Sequence, residues 1–192
     1  MSLVLTSSPA LEPVSLAEAK THLRIDHTHE DPLIQSLIIT SRLHIEAALG
    51  LALVTQSWSY TIDRWPRQPR INLPMRPVQA IAHVRIWSAD GSSEMLPPDA
   101  FFLDGQGLPA RLVWQGNTTP PEPQRTANGI EIAFTAGFGA APGDVPETIR
   151  HALLLLAAHW YEHREPIEIG SSSSAIPTMV SELLAPYRRR RV

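Results

Sequence analysis

Between Gly50 and Gln56 the hydrophobic repeat of this chain changes from 3.6 residues to two, and near Pro146 it changes back. Such an order of periods excludes an all-helical or all-β fold. It requires helices, then a run of strands, then helices again, in one chain of 192 residues that can bury a core of its own. The first helix opens on Ser15, with Glu18 three residues on: a capping box in which each side chain satisfies a free backbone N–H. Leu16, Ala19 and Leu23 share one face. After the loop HTHED, Pro32 fits the first turn of a second helix, where its missing N–H costs nothing. Leu33, Ile34, Leu37, Ile38, Ile45 and Leu49 mark its apolar stripe, and Gly50 supplies the left-handed residue that ends it.

From Gln56, Trp58, Tyr60 and Ile62 alternate with Ser57, Ser59 and Thr61, as a half-buried strand requires. Four prolines, at 66, 69, 74 and 77, leave only the short extended piece INL. Val78 to Ser88 predicts a long strand closed by an Asp90-Gly91 turn, and Phe101–Leu103, ARLVW and GIEIAFTAG predict three more. The lobe over residues 56–137 is therefore β-rich and antiparallel, with a proline-rich loop, NTTPPEPQRTAN, before its last strand. Helix three begins near Pro146 and reaches about His163, and its run ALLLLAA marks it as the central buried helix. EPIEIG and the serines Ser171–Ser174 form a linker by composition. A short helix follows, with Met179, Val180, Leu183 and Leu184 on one face. Pro186 stops it, Tyr187 follows, and Arg188, Arg189, Arg190 and Arg191 stand at the end. The expected fold class is α+β: a small helical bundle (helices within 15–50 and 144–165) with an antiparallel β-lobe inserted between the second and third helices, and a C-terminal helical tail. The expected organisation is a domain over residues 1–170 and a tail over 171–192.

The chain has no cysteine, which removes disulfides, thiolate metal sites and cysteine nucleophiles. Its longest apolar stretch, Ala152–Ala158, is far below the ~20 residues that cross a bilayer, and MSLVLTSSPALEP lacks the basic start of a secretory signal. The expectation is a protein made in the cytoplasm, with no membrane partner. Net charge is −3, and without the four terminal arginines the first 187 residues carry −7. The low charged fraction, 18%, suggests surface covered by partners.

Catalytic chemistry is weakly represented. His159 and His163 stand at i and i+4 with Glu162 between them, and a third metal ligand would have to come from the loop His27-Thr28-His29-Glu30-Asp31. The zincin pattern needs Glu directly after the first His, where this chain has Trp160. A helix end at which histidines complement the dipole explains the pair as well. No G-x-S-x-G elbow occurs, and Gly137-Phe138-Gly139 lacks the rest of a phosphate loop, which leaves it as a tight strand exit. Trp58, Trp87 and Trp114, on three strands, would suit a glycan-binding β-module if they formed a row. The alternative is that they fill the core. No catalytic residue, metal site or cofactor is assigned.

In sequence order these pieces resemble the head–tail connector, or adaptor, proteins of long-tailed phages and gene transfer agents. The likeness runs through PVSLAEAKTHLRIDHTHEDPLIQSLIITSRLHIEAALG, QSWSYTID, LPMRPVQAIAHVRIWSADGS, IEIAFTAGFG, VPETIRHALLLLAAHWYEHRE and IPTMVSELLAPYRRRR. It implies a structural virion protein, not an enzyme. It also implies a homo-oligomeric ring, commonly of twelve subunits, between the portal protein and the stopper or tail-completion protein. DNA would pass through the channel without sequence-specific binding, and the protein would reside in the host cytoplasm before assembly. The tail residues Met179, Val180, Leu183, Leu184, Tyr187 and Arg188–Arg191 are the candidates for docking on the portal. A metal-dependent hydrolase and a glycan-binding module are the competing readings.

Overall fold

The computed structural model describes residues 1–68, 70–105, 107, 109–115, 120–163 and 177–188. The chain divides into two compact units, one of residues 1–10 and 50–138, the other of residues 11–49 and 139–192.

The first unit holds eight strands: β1 (Ser2–Ser7), β2 (Gln56–Ile62), β3 (Arg70–Asn72), β4 (Val78–Trp87), β5 (Ser93–Met95), β6 (Phe101–Asp104), β7 (Arg111–Trp114) and β8 (Ile130–Ala136). Five form an antiparallel sheet in the order β1-β2-β8-β4-β5, and three form a second in the order β3-β7-β6. Strand β1 was not expected. Its alternation Leu3/Leu5 against Val4 is short, but pairing with β2 gives the edge a partner, Leu3 opposite Tyr60 and Leu5 opposite Trp58. Strand β5, a three-residue return after Asp90-Gly91, was also not expected. The Asp90 carboxylate accepts from the Ser92 backbone N–H at 2.9 Å and holds the turn.

Strand β8 lies at the centre of the larger sheet, and its burial alternates strictly. Ile130, Ile132, Phe134 and Ala136 enter the core while Glu131, Ala133 and Thr135 face the other side. Ile62, Val84 and Ile86 join them from the neighbouring strands, Ile71 and Leu112 come from the second sheet, and Leu73 follows directly after β3. Gly137 leaves this sheet at φ 146°. A Cβ there would lie 2.5 Å from the Thr55 nitrogen, so the tight exit admits only glycine.

The second unit holds α1 (Leu16–Leu23), α2 (Asp31–Leu49), α3 (Glu147–Glu162) and α4 (Thr178–Leu184). The capping box is formed: the Glu18 N–H donates to Ser15 Oγ at 3.2 Å, and the Ser15 N–H donates to Glu18 Oε2 at 2.8 Å. These bonds, with the Arg150 guanidinium close by, hold the Glu18 carboxyl below its ordinary range. Helix α3 packs against the other three helices and buries Ile149, Ala152, Leu153, Leu156 and Ala157. Arg150 fastens it further, donating to the Pro13 carbonyl at 3.0 Å and pairing with Glu18 and Glu147.

Helix α2 departs from its expected stripe. Ile34, Ile38, Ile45 and Leu49 are buried, but Leu33 is exposed, and Ser41, Arg42 and Glu46 occupy the buried face. The Arg42 guanidinium meets Glu12 at 2.7 Å and Glu46 at 2.8 Å. Burial works against its charge, but the two carboxylates outweigh that penalty and raise its pKa.

Candidate functional site

The C-terminal segment is the first place to look for a docking surface. Pro177 starts α4, its carbonyl accepting from the Val180 N–H at 3.0 Å. Val180 and Leu184 are buried against α3 of the same unit, at 1% and 7% exposure, while Met179 is 58% exposed and Leu183 is half-buried. Pro186 lies in a 3-10 turn, Ala185–Tyr187, that follows the helix directly. The Tyr187 hydroxyl sits 2.9 Å from Thr148 Oγ1 on α3. The apolar stripe is therefore divided. Two of its members cover the chain's own helix, which leaves Met179 and the edge of Leu183 open beside the exposed Arg188. Arg189, Arg190, Arg191 and the serine run 171–174 lie outside the described residues.

The histidines do not assemble a metal centre. His159 and His163 have ring centroids 4.5 Å apart, and His163 Nδ1 lies 2.9 Å from the carbonyl of His159. The other pair is a stack: His27 and His29 are 3.8 Å apart and nearly parallel, with His27 Nε2 3.7 Å from Glu30. The histidine loop reaches α3 through Tyr161, whose hydroxyl donates to Glu30, and not through His159 or His163. Among the described residues no three His, Asp or Glu side chains converge as metal ligands. Two imidazoles from adjacent turns of one helix, without a third donor, give no tetrahedral site.

The tryptophans do not form a row either. Trp58 pairs across from Phe134 and packs on the core. Trp87 has the opposite strand parity to the buried Ile86, and the guanidinium carbons of Arg85 and Arg125 lie 5.8 and 5.4 Å from its ring centroid. Trp114 belongs to the other sheet, where it meets Trp65 at 6.2 Å. Three rings on two sheets, two of them packed against the core, offer no common platform to a sugar.

The loop before β8 is organised by bonds that its composition does not announce. Trp65 Nε1 donates to the Pro121 carbonyl at 2.8 Å, and the Asn128 N–H donates to Asp63 at 2.9 Å. Gly129 follows, where a Cβ would come within 2.6 Å of Pro123. The loop segments 63–68 and 120–129 are thus tied together.

A capped helix pair followed by a strand and a proline-punctuated segment is where the comparison with known proteins is decisive. Residues 13–95 match the family model of the phage gp6-like head-tail connector protein. Over that span the chain is similar to head–tail connector proteins. The likeness of fold runs along the whole chain. A chain in the neck of an empty gene transfer agent particle, computed with C6 symmetry, superposes with TM-score 0.85 at 27% identity, covering 100% of this chain and 97% of that one. A chain in the virion of a native gene transfer agent particle gives 0.83, and one in the neck of a native particle computed with C12 symmetry gives 0.82, both at the same identity and coverage. No curated protein matches this sequence. Among the described residues no helix is long and apolar enough to cross a membrane.

Proposed function

We propose that this connector is a structural virion protein that forms a ring, of twelve copies, between the portal and the stopper or tail-completion protein, and so completes the DNA exit channel. The observation that carries the reading is likeness over the full chain, at 27% identity, to proteins of a gene transfer agent neck computed with C6 and C12 symmetry. A sixfold or twelvefold arrangement needs heterologous, head-to-tail contacts that close on themselves. The outer face of α2 supports this. Ile39 and Leu43, one turn apart, are exposed at 37% and 49%, more apolar surface than an isolated helix pair needs. Its place is the head–tail interface of a phage-like particle, after synthesis in the host cytoplasm, and its work is binding and sealing with no catalytic step.

Portal docking is assigned to the exposed part of the tail: Met179, Leu183 and Arg188, with Arg189, Arg190 and Arg191 beyond. Val180, Leu184 and Tyr187 hold α4 in place for that contact. Deleting the tail would uncover α3, so the informative variants are Met179→Asp and reversal of the four arginines to glutamate. Cryo-electron microscopy of particles made with the intact gene should show a ring of this chain at the neck. A neck without that ring overturns the function. A ring that persists at full occupancy with both tail variants overturns the docking assignment alone.

A further inference from the structure

The connector's charge is unevenly divided. The helical unit holds twelve carboxylates and nine basic residues, four of them the terminal arginines, while the β unit holds seven arginines and seven carboxylates. Within the β unit the carboxylates are largely engaged or distant in the chain from one basic end. Asp63 accepts from the Asn128 N–H, Asp104 takes the Arg111 guanidinium, and Glu131 lies 3.6 Å from Arg85. Arg64, Arg67, Arg70 and Arg125 are all exposed, and among the described residues none of the four has an ion-pair partner. Arg64, Arg67 and Arg125 sit on the two tied loops, where Glu122 is the remaining carboxylate, and Arg70 opens β3 just beyond.

The aromatic beside them is a fastener. Trp65 gives its N–H to Pro121 and its ring to Trp114, which leaves the arginines presented on a pinned segment. Arg70 and Arg111 also line a cleft of about 350 Å³ with Asn72, Gly107 and Pro109. Asn72 and Arg111 are direct partners across β3 and β7. Asp104 holds the Arg111 Nε at 3.0 Å and so fixes the guanidinium. Two guanidiniums and an amide around one cleft are the donor set for an oxyanion, and an arginine fork suits a phosphodiester better than a lysine would.

We propose that this end of the β-lobe binds the phosphate backbone of double-stranded DNA, through Arg64, Arg67, Arg70 and Arg125, with the Arg70–Arg111 cleft seating a phosphate. The inference rests on the reading that DNA passes this protein, and it assigns the contact to the lobe, where acidic neighbours are engaged, and not to the acidic helical unit. Backbone contacts of this kind are independent of sequence, and each neutralised phosphate steepens the salt dependence by about 0.9 in log K against log salt.

The test is fluorescence anisotropy of a labelled duplex titrated with the full chain across about 50–200 mM salt. The triple variant Arg64→Ala, Arg67→Ala, Arg70→Ala should weaken binding at least tenfold at the lowest salt and reduce the slope by about 2–3, the share of three phosphates. Lysine at the same three positions should restore most of the slope. Retained circular dichroism separates charge loss from unfolding. An unchanged affinity in the triple variant, with binding abolished by alanine at Arg188–Arg191, assigns the contact to the tail and overturns the proposal. Absence of duplex binding by the parent overturns it too, as does a protein that takes up inorganic phosphate but not duplex. A neck ring seen in particles carrying the triple variant keeps the connector function standing if the DNA site fails.

Discussion

Arg42 illustrates how much one residue carries in the helical unit. It sits almost fully buried between Glu12 and Glu46, and Glu46 is itself only 5% exposed. Removing the guanidinium leaves a carboxylate in the interior without its counter-charge, a change that costs about 3–5 kcal/mol. Arg42→Ala should therefore lower the urea midpoint sharply, while Arg42→Met with Glu46→Leu should recover most of the loss, since well-packed apolar pairs replace buried ion pairs at little cost. Glu18 acts at the surface and through pH. Its folded-state pKa is lowered, first by the Ser15 backbone N–H and then by the Ser15 hydroxyl. Its contribution is thus present above the ordinary glutamate pKa and is lost as pH falls through the lowered value. Stability measured at stepwise lower pH should fall more gently in Glu18→Gln than in the parent. A parallel pair of curves would contradict the assignment.

At the scale of elements, α4 and the β8 exit make opposite demands. Seven residues of helix are too few to persist alone, so α4 depends on the surface it covers. Leu184→Ala should cost about 2–5 kcal/mol by opening a cavity against α3, whereas Met179→Ala should stay within about 0.5 kcal/mol. Chemical denaturation of the two variants decides this, and equal losses would mean that the stripe is buried as a whole. At the end of β8 the backbone is the constraint. Gly137→Ala places a Cβ against Thr55 at a positive φ, and a loss of about 1–3 kcal/mol is expected from the backbone strain, before any contribution from the clash. Caps and turns elsewhere in the chain were readable in advance because each depends on residues no more than three apart: Ser15 with Glu18, Gly50 directly after Leu49, Asp90 beside Gly91. Strands β1 and β5 were not, because six and three residues carry too little alternation to be told from loop until a neighbour pairs with them.

For the whole molecule, the proposed place in a neck ring would make stability a property of the assembly. A partner that binds only the folded chain stabilises it by mass action, by about 2.7 kcal/mol at one hundred times its Kd. On the proposed docking, adding purified portal should raise the thermal midpoint in a concentration-dependent way, and the Met179→Asp variant should shift that dependence to higher portal concentration. A midpoint insensitive to portal would argue against direct docking. What the sequence determined by itself was the order of elements and the class of fold, since the switch from period 3.6 to period 2 and back is written in neighbouring residues. The ordered likeness to connectors was legible for the same reason. What only the tertiary structure decided was which side chains are left for partners. Arg42 is buried between Glu46 and Glu12, and Glu12 stands thirty residues earlier in the chain. Val180 and Leu184, expected to dock on a partner, are covered by α3, and the proline-rich loop is held at 120–129 by Trp65 and Asp63. Burial and ion pairing join residues 30 to more than 60 positions apart, and no local period or cap encodes which distant surface arrives.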